Sequence, residues 1–279
     1  MMIIYKSRFL TRGDVWFDDE PGDTHAVDWI FYHQRSRPVP GAQTRFFHTY
    51  VIDLTRPPEE LLVNLNKDNA YKIRRARERD KITCESRDPR DPAVLDHFEQ
   101  MNNAFAASTG RMPLNRAQTE SLAAAGAMEL TVAKDPQGKV LVYHSDYRDN
   151  HRARALHLPT LCRKDASSAE RNYIGRANRY LTWHNILRYK EQGLKWFDFG
   201  GWHQGNDAQL LNVNEFKRGF GGQVVCEYES EQILTLKGWV VLHAASLLER
   251  VKSFRDRPRK TAADVPPDSL PGQIVVPAD

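Results

Sequence analysis

The sequence predicts an α/β (α+β) protein in which helices flank a mixed β-sheet. Three observations carry that prediction. Aromatic and β-branched residues cluster in short runs bounded by Gly, Pro, Asp and Asn, and longer segments between them place apolar residues at helical spacing. From residue 93 onward the order reads two helices, three strands joined by tight turns, a long helix, a strand, a helix and a strand. The 279 residues are 41% hydrophobic and 27% charged, the balance of a globular core in one large domain or two small ones. No apolar run approaches the ~18–20 residues that a membrane-spanning helix needs.

Residues 1–55 hold strand-like runs at 2–5, 27–32 and 46–54, the last (FFHTYVIDL) being the clearest. Thr55 then suits a helix cap, with Pro57 in the first turn, Glu59 and Glu60 near the positive end, and Leu61, Leu62 and Leu65 on the apolar side. A second helix over 69–80 carries Arg74, Arg75, Arg77 and Arg79 around Ile73 and Ala76. A short strand and a connector fill 82–93, and helices follow at 93–107 and 116–125. Runs at 128–133, 139–147 and 152–158 form a meander, separated by the turn signals DPQG and RDN. A long helix is expected from about Tyr173 to Gln192, stopped by Gly193. A strand at 195–199, a helix at 207–218, a strand at 224–228 and an amphipathic helix at 234–254 complete the set. Residues 257–279, with five prolines and few large apolar groups, read as a disordered tail.

Charge is unevenly placed. The chain carries +4 overall, yet residues 71–81 and 249–260 each hold six Lys/Arg and two acids, so the remainder sums to −4. Two basic segments on a mildly acidic body suit a phosphate-bearing partner, whether nucleotide, coenzyme A, tRNA or an anionic membrane, or else a solvated helix face and a charged tail. Cys84, Cys162 and Cys226 lie far apart, which excludes a disulfide framework and a local zinc site. The first residues (MMIIYK) lack the pattern of a cleaved leader, and a cytoplasmic location is the expectation. No Ser/His/Asp arrangement, GKS/T loop or HExxH is present, so hydrolase, kinase and zinc-protease chemistry drop out.

The most specific stretch is Trp196-Phe197-Asp198-Phe199-Gly200-Gly201, followed by Phe216-Lys217-Arg218-Gly219-Phe220-Gly221-Gly222. With Leu181-Thr182-Trp183 upstream, and Lys72-Ile73-Arg74-Arg75-Ala76 earlier, it resembles the FemAB-like branch of the GNAT superfamily, the peptidoglycan-bridge aminoacyltransferases and their relatives. The resemblance runs in pieces from about residue 46 to 229 and fits the order of elements from residue 93. It implies a GNAT-like acyltransferase domain over 89–256, preceded by a shortened GNAT-like half over 1–88 and followed by the tail. It also implies acyl transfer to an amine of an amino sugar, peptide or small metabolite, with Lys217 stabilising the oxyanion and no metal.

The residues themselves are compatible with that chemistry. Gly200-Gly201 and Gly221-Gly222 either let a backbone approach a ligand and offer free N–H groups, or make tight turns. A cation at Lys217 would stabilise a developing oxyanion; as a helix C-terminal lysine it would equally answer the dipole. Asp198 would orient an amine or brace the backbone, and Phe216 and His203 flank the same motifs. For the base, His144, Asp146, His157, His203, Asp198 and Glu215 are the nearby groups. GNAT enzymes hold the acyl-CoA pyrophosphate on a Q/R-x-x-G-x-G/A loop opening a helix, and Asn172-Tyr173-Ile174-Gly175-Arg176-Ala177, preceded by Arg171, matches at the Gly and Ala. Acyl-CoA is therefore the leading donor and aminoacyl-tRNA the second, with residues 71–81 as its basic surface. The amphipathic helix, with Val240, Ala244, Leu247, Leu248, Val251 and Phe254 in one stripe, either covers the core or contacts a membrane. A non-catalytic nucleic-acid or membrane-surface binder on the same fold is the rival reading.

Overall fold

A computed structural model describes residues 1–7, 9–161 and 166–244. The elements in chain order are β1 (Met2–Ser7), β2 (Leu10–Trp16), β3 (Trp29–Arg35), β4 (Gln43–Asp53), α1 (Pro58–Val63), α2 (Lys67–Glu78), β5 (Thr83–Arg87), α3 (Pro92–Thr109) and α4 (Arg116–Ala124). The meander β6 (Met128–Lys134), β7 (Val140–Arg148) and β8 (Arg152–His157) follows, then α5 (Ser168–Glu191), β9 (Trp196–Gly201), α6 (Ala208–Arg218) and β10 (Gln223–Ile233). Residues 236–244 begin a further helix. The mixed α/β architecture agrees with the sequence-based expectation.

All ten strands join one sheet in the order β1-β2-β3-β10-β4-β9-β8-β7-β6-β5. The expected boundary near residue 88 falls just after β5, and strands from both sides of it share this sheet. The pairs β2–β3 and β8–β9 are parallel; the others are antiparallel. The sheet curls strongly, because Trp16 of β2 stacks on Tyr147 of β7 at 4.5 Å although five strands separate them in the order. Inside the curl, α3 and α4 bury Leu95, Phe98, Met101 and Leu122 against Ile3, Tyr5, Leu130 and Tyr143. On the other face α5 packs on α2 and the sheet through Ile174, Ala177, Leu181 and Ala76, and through Trp183, Ile186 and Tyr189 against Ile52, Phe197 and Phe199.

Two local outcomes differ from the sequence reading. β2 lies between the strand-like runs expected at 2–5 and 27–32, where no strand was expected. A Cβ at Gly13 would lie 2.5 Å from the Met2 sulfur, so that side chain would have to shift, and Asp14 is buried among Tyr5, Arg12 and Gln118, which donate to it. The Gly221-Gly222 pair does not offer a ligand cradle. A Cβ at Gly222 would stand 2.3 Å from the Val51 carbonyl oxygen, and one at Gly221 would stand 2.5 Å from the Asn64 Cβ. The second double glycine is a packing device that lets the α6–β10 turn press against β4 and the α1–α2 loop. In the helix at 236–244, Val240 and Ala244 are exposed, so the stripe's described part does not cover the core; Leu247, Leu248, Val251, Phe254 and the tail at 257–279 lie outside the described residues.

Gly222→Ala is expected to destabilise the fold by about 2–3 kcal/mol, because backbone rather than a flexible side chain must move. Denaturant unfolding of the variant beside Gly201→Ala, whose Cβ would meet only the Phe47 ring at 3.5 Å, measures the difference; equal midpoints would refute the packing role.

Candidate active site

The site forms where a parallel pair comes apart. β8 and β9 are in register from Arg152↔Trp196 to Arg154↔Asp198, after which both strands continue without pairing to each other. β9 leans toward β4 instead, with Gly201 opposite Thr49. Gly200 adopts φ +72° at this fork, and its Cα faces the Arg154 guanidinium and the Ala155 carbonyl. The fork therefore frees the Gly200 and Gly201 carbonyls from the β8 ladder and sets cations against them.

Asp198 anchors the fork and is fully buried. Its carboxylate accepts from Gln34 Nε2 at 2.6 Å, from Arg152 at 2.6 Å, from the Gly200 N–H at 2.7 Å and from the Thr49 hydroxyl. Burial alone would raise its pKa, but Arg152 and Arg154 outweigh it and hold the carboxyl below the usual range. Gln34 reaches it because a β-bulge in β3 opposite β10 places Gln34 at φ 52°. Arg152 also makes a two-pronged pair with Glu227 of β10 at 2.6 and 2.9 Å and lies over the Phe17 ring. With its lone pairs already taken, Asp198 is a brace and has no spare capacity to take a proton from substrate.

Lys217 closes the fork from α6. It is 7% exposed, and its Nζ donates to the Gly200 carbonyl at 3.1 Å and to the Gly201 carbonyl. Burial pushes its pKa down to about 8 against the opposing pull of Asp198, with Arg154 and Arg111 adding to the depression. An ammonium has three protons, so one remains for a ligand. Arg154, half-buried with its face over Trp16, has no ion pair among the described residues, and its Nε is a buried donor without a partner. Lys217 and Arg154 give the fork a positive field, to which the exposed Arg111 contributes.

The other expected residues divide. Phe216 packs its ring against Phe199 and Phe220 beneath Lys217. His203 shapes the approach: its N–H donates to Asn214, its carbonyl accepts from Asn214, and its Nε2 accepts from the Asp207 N–H. His144 and Asp146 are shut under α5 with Asn178, Asn185 and Tyr189, remote in chemistry from the fork. His157 ends β8 beside Arg154, and burial and that cation push its pKa to about 4, which makes it a weak base. The exposed Glu215 pairs with Arg218.

The donor loop is corrected. α5 begins at Ser168, five residues before the expected start, so Gly175, Arg176 and Ala177 lie beyond the first turn, where backbone N–H groups are bonded within the helix. Arg176 pairs with Asp80, Arg171 donates to the Ala166 carbonyl, Ala177 is core, and Asn172 is exposed. The missed signal was Ser167-x-x-Glu170, a capping-box sequence whose serine accepts from the Glu170 N–H. Gln34, Thr49, Arg152, Arg154 and Glu227 were also missed, because they are scattered over strands that only the sheet order brings together.

No family model matches the chain, and no curated protein matches it in sequence. Among solved structures it is similar to FemX, with a TM-score of 0.60 at 14% identity over 84% of each chain. It is also similar to a C-terminal domain ascribed to a lysylphosphatidylglycerol synthetase of Agrobacterium fabrum, with a TM-score of 0.52 at 16% identity over 88% of this chain and 85% of that one. L-PGS from Bacillus licheniformis gives 0.50 at 16% identity over 86% and 83%. The chain shares the fold of FemX, in line with the resemblance that its double-glycine motifs carry.

Proposed function

We propose that the protein is an acyltransferase that moves an aminoacyl group from aminoacyl-tRNA to an amine-bearing acceptor. The observation that carries the reading is the Lys217 ammonium held on the Gly200 and Gly201 carbonyls at the open end of the β8–β9 fork. The acceptor nitrogen attacks the donor's ester carbonyl, the displaced π pair gathers on oxygen, and the third N–H of Lys217 meets that charge. Collapse re-forms the carbonyl and expels the ribose oxygen, which takes the proton lost from nitrogen. The unpaired guanidinium of Arg154 favours an acceptor that carries an anionic group. FemX and a lysylphosphatidylglycerol synthetase domain share the fold, which is consistent with a transferase.

Two observations favour tRNA over acyl-CoA as donor. The α5 segment expected to cradle a pyrophosphate is ordinary helix interior. The surface of α2, in contrast, exposes Arg74, Arg77 and Arg79, and Arg74 and Arg77 border a groove of about 630 Å³ lined by Leu62, Leu65, Ile73 and Trp183. Filter binding should show association with deacylated tRNA that weakens steeply with salt, while acetyl-CoA and longer acyl-CoAs leave the melting temperature unchanged. A clear acyl-CoA shift without tRNA binding would return the donor to acyl-CoA.

Lys217→Met is expected to change stability by less than ~1 kcal/mol, since the buried charge is costly and the stem is kept. Single-turnover transfer should fall by about 10²–10³ with donor affinity nearly constant. Wild-type transfer should also decline as pH rises past about 8, where Lys217 loses its proton. Asp198→Asn is expected to behave oppositely, costing about 3–5 kcal/mol by leaving Arg152 and Arg154 against a neutral group. If the Lys217 variant melts far lower, or the Asp198 variant folds normally but is inert, the two roles are exchanged.

A further inference from the structure

We propose that the buried polar seat of α5 is a proton-operated latch, closed when Asp146 carries a proton and loosened when it does not. The seat is a stripe on the side of the helix that faces the sheet. Asn178, Thr182, Asn185 and Tyr189 recur at spacings of four, three and four residues, which sets them one above another on a single face. β6 and β7 meet them with Thr131, His144 and Asp146. Asp146, Asn185, Tyr189 and Thr131 are fully buried and His144 is 1% exposed, so polar groups fill a layer that apolar side chains occupy elsewhere along α5.

The hydrogen bonding of this layer does not close. Tyr189 donates to one carboxylate oxygen of Asp146 at 2.7 Å. The Asn185 amide nitrogen stands 2.9 Å from the Thr131 hydroxyl, 3.3 Å from the same Asp146 oxygen and 3.4 Å from His144 Nδ1, three acceptors for two protons. The other Asp146 oxygen and the Asn185 carbonyl oxygen have no partner among the described residues. Nor is a cation bonded to Asp146. Arg188 gives both terminal nitrogens to Glu129 at 3.1 Å and lies over the Tyr189 ring, while its buried Nε has no partner. Arg148 bridges the same Glu129 at 2.8 Å, His144 is held on Asn178, and β8 sets Ala155 opposite Asp146. The charges around Asp146 are therefore two arginines and a glutamate already engaged with one another.

A carboxyl so placed is accommodated when neutral and costly when ionised. Burial pushes the Asp146 pKa up to about 6, against the opposing pull of the Tyr189 hydroxyl and Arg188. Burial holds His144 down at about 4, so the imidazole is neutral where Asp146 ionises. The folded value exceeds that of an unfolded aspartic acid, about 3.9. The latch consequently contributes fully in acid, and its contribution is lost as pH rises from about 4 through about 6. Once ionised, Asp146 gains a bonded counter-charge only if Arg188 leaves Glu129, which makes that arginine the moving part. α5 also carries Arg179, which donates to Asn69 of α2 and lies over the Phe216 ring, next to Lys217. Loosening the seat thus reaches the lysine of the proposed reaction, a consequence that rests on that reading, whereas the latch itself does not.

The test is amide hydrogen exchange in the full chain across roughly pH 4 to 8, corrected for the intrinsic pH dependence of exchange. Protection over residues 178–189 should fall by about a hundredfold as pH rises and level off above about 6, while β2, away from the seat, keeps its protection. Asp146→Asn, neutral at every pH, should hold the acid level of protection throughout. Tyr189→Phe removes a donor to the ionised form and should move the levelling-off to higher pH, a displacement that a merely structural role would not produce. An equal fall in β2 overturns the latch by assigning the effect to global stability, and so does a fall that persists in Asp146→Asn. If Asp146→Asn does not fold, the Tyr189→Phe profile decides, and an unchanged profile overturns the proposal. No arm uses the transfer reaction, so the latch and the proposed function fail separately.

Discussion

Burial of the Asp198 charge is the constraint on which the site's geometry depends. A carboxylate out of water must be met by donors or it is strongly destabilising, and here the donors come from β3, β4, β8 and β9. Satisfying it fixes how four strands sit relative to one another, and Arg152 extends the tie to Glu227 of β10. The same requirement bends β9, because the carboxylate draws in the N–H of Gly200 two residues on. That turn presents two successive carbonyls to one ammonium. Lys217 is consequently positioned by a chain of contacts that begins with Asp198.

The parts of this arrangement that were legible in the sequence are those carried by contiguous signals. The double-glycine motifs, the meander and the order of elements after residue 93 follow from turn chemistry and periodicity. Lys217 and Asp198 were legible because they sit inside those motifs. What escaped shares one cause, dependence on neighbours distant in sequence. Gln34 is an unremarkable strand residue until a bulge turns its amide toward Asp198. Gly221 and Gly222 resemble a ligand-binding loop until Val51 and Asn64 are seen against them. The early start of α5 is the exception: Ser167 and Glu170 announce it locally, and the polar composition of that stretch concealed it.

The fold separates its tasks between two faces and one edge. The face with α2 and α5 carries exposed arginines and the broad groove. The concave face supplies the Asp198 brace and the Arg154 cation. The fork lies toward the edge where β2 and β3 finish, because Asp198 accepts from Gln34 and Arg154 lies over Trp16. Rigid strands, rather than loops, hold most of these groups, which is the arrangement that limits misplacement of reacting atoms.

The position of β10 has a consequence for biosynthesis. It lies between β3 and β4, and the Tyr32–Gln232 hydrogen bond joins residues 200 apart. At about 5–20 residues per second, β3 and β4 wait on the order of ten to forty seconds for the strand that separates them. Throughout that interval each has an open edge able to pair with the wrong strand or with another chain. A sheet closed by its last strand also folds slowly, since distant segments must meet before pairing compensates for lost chain freedom. The nascent chain is therefore exposed to its greatest hazard just before β10 emerges, when most of the described core residues exist and the central gap of the sheet is still unfilled.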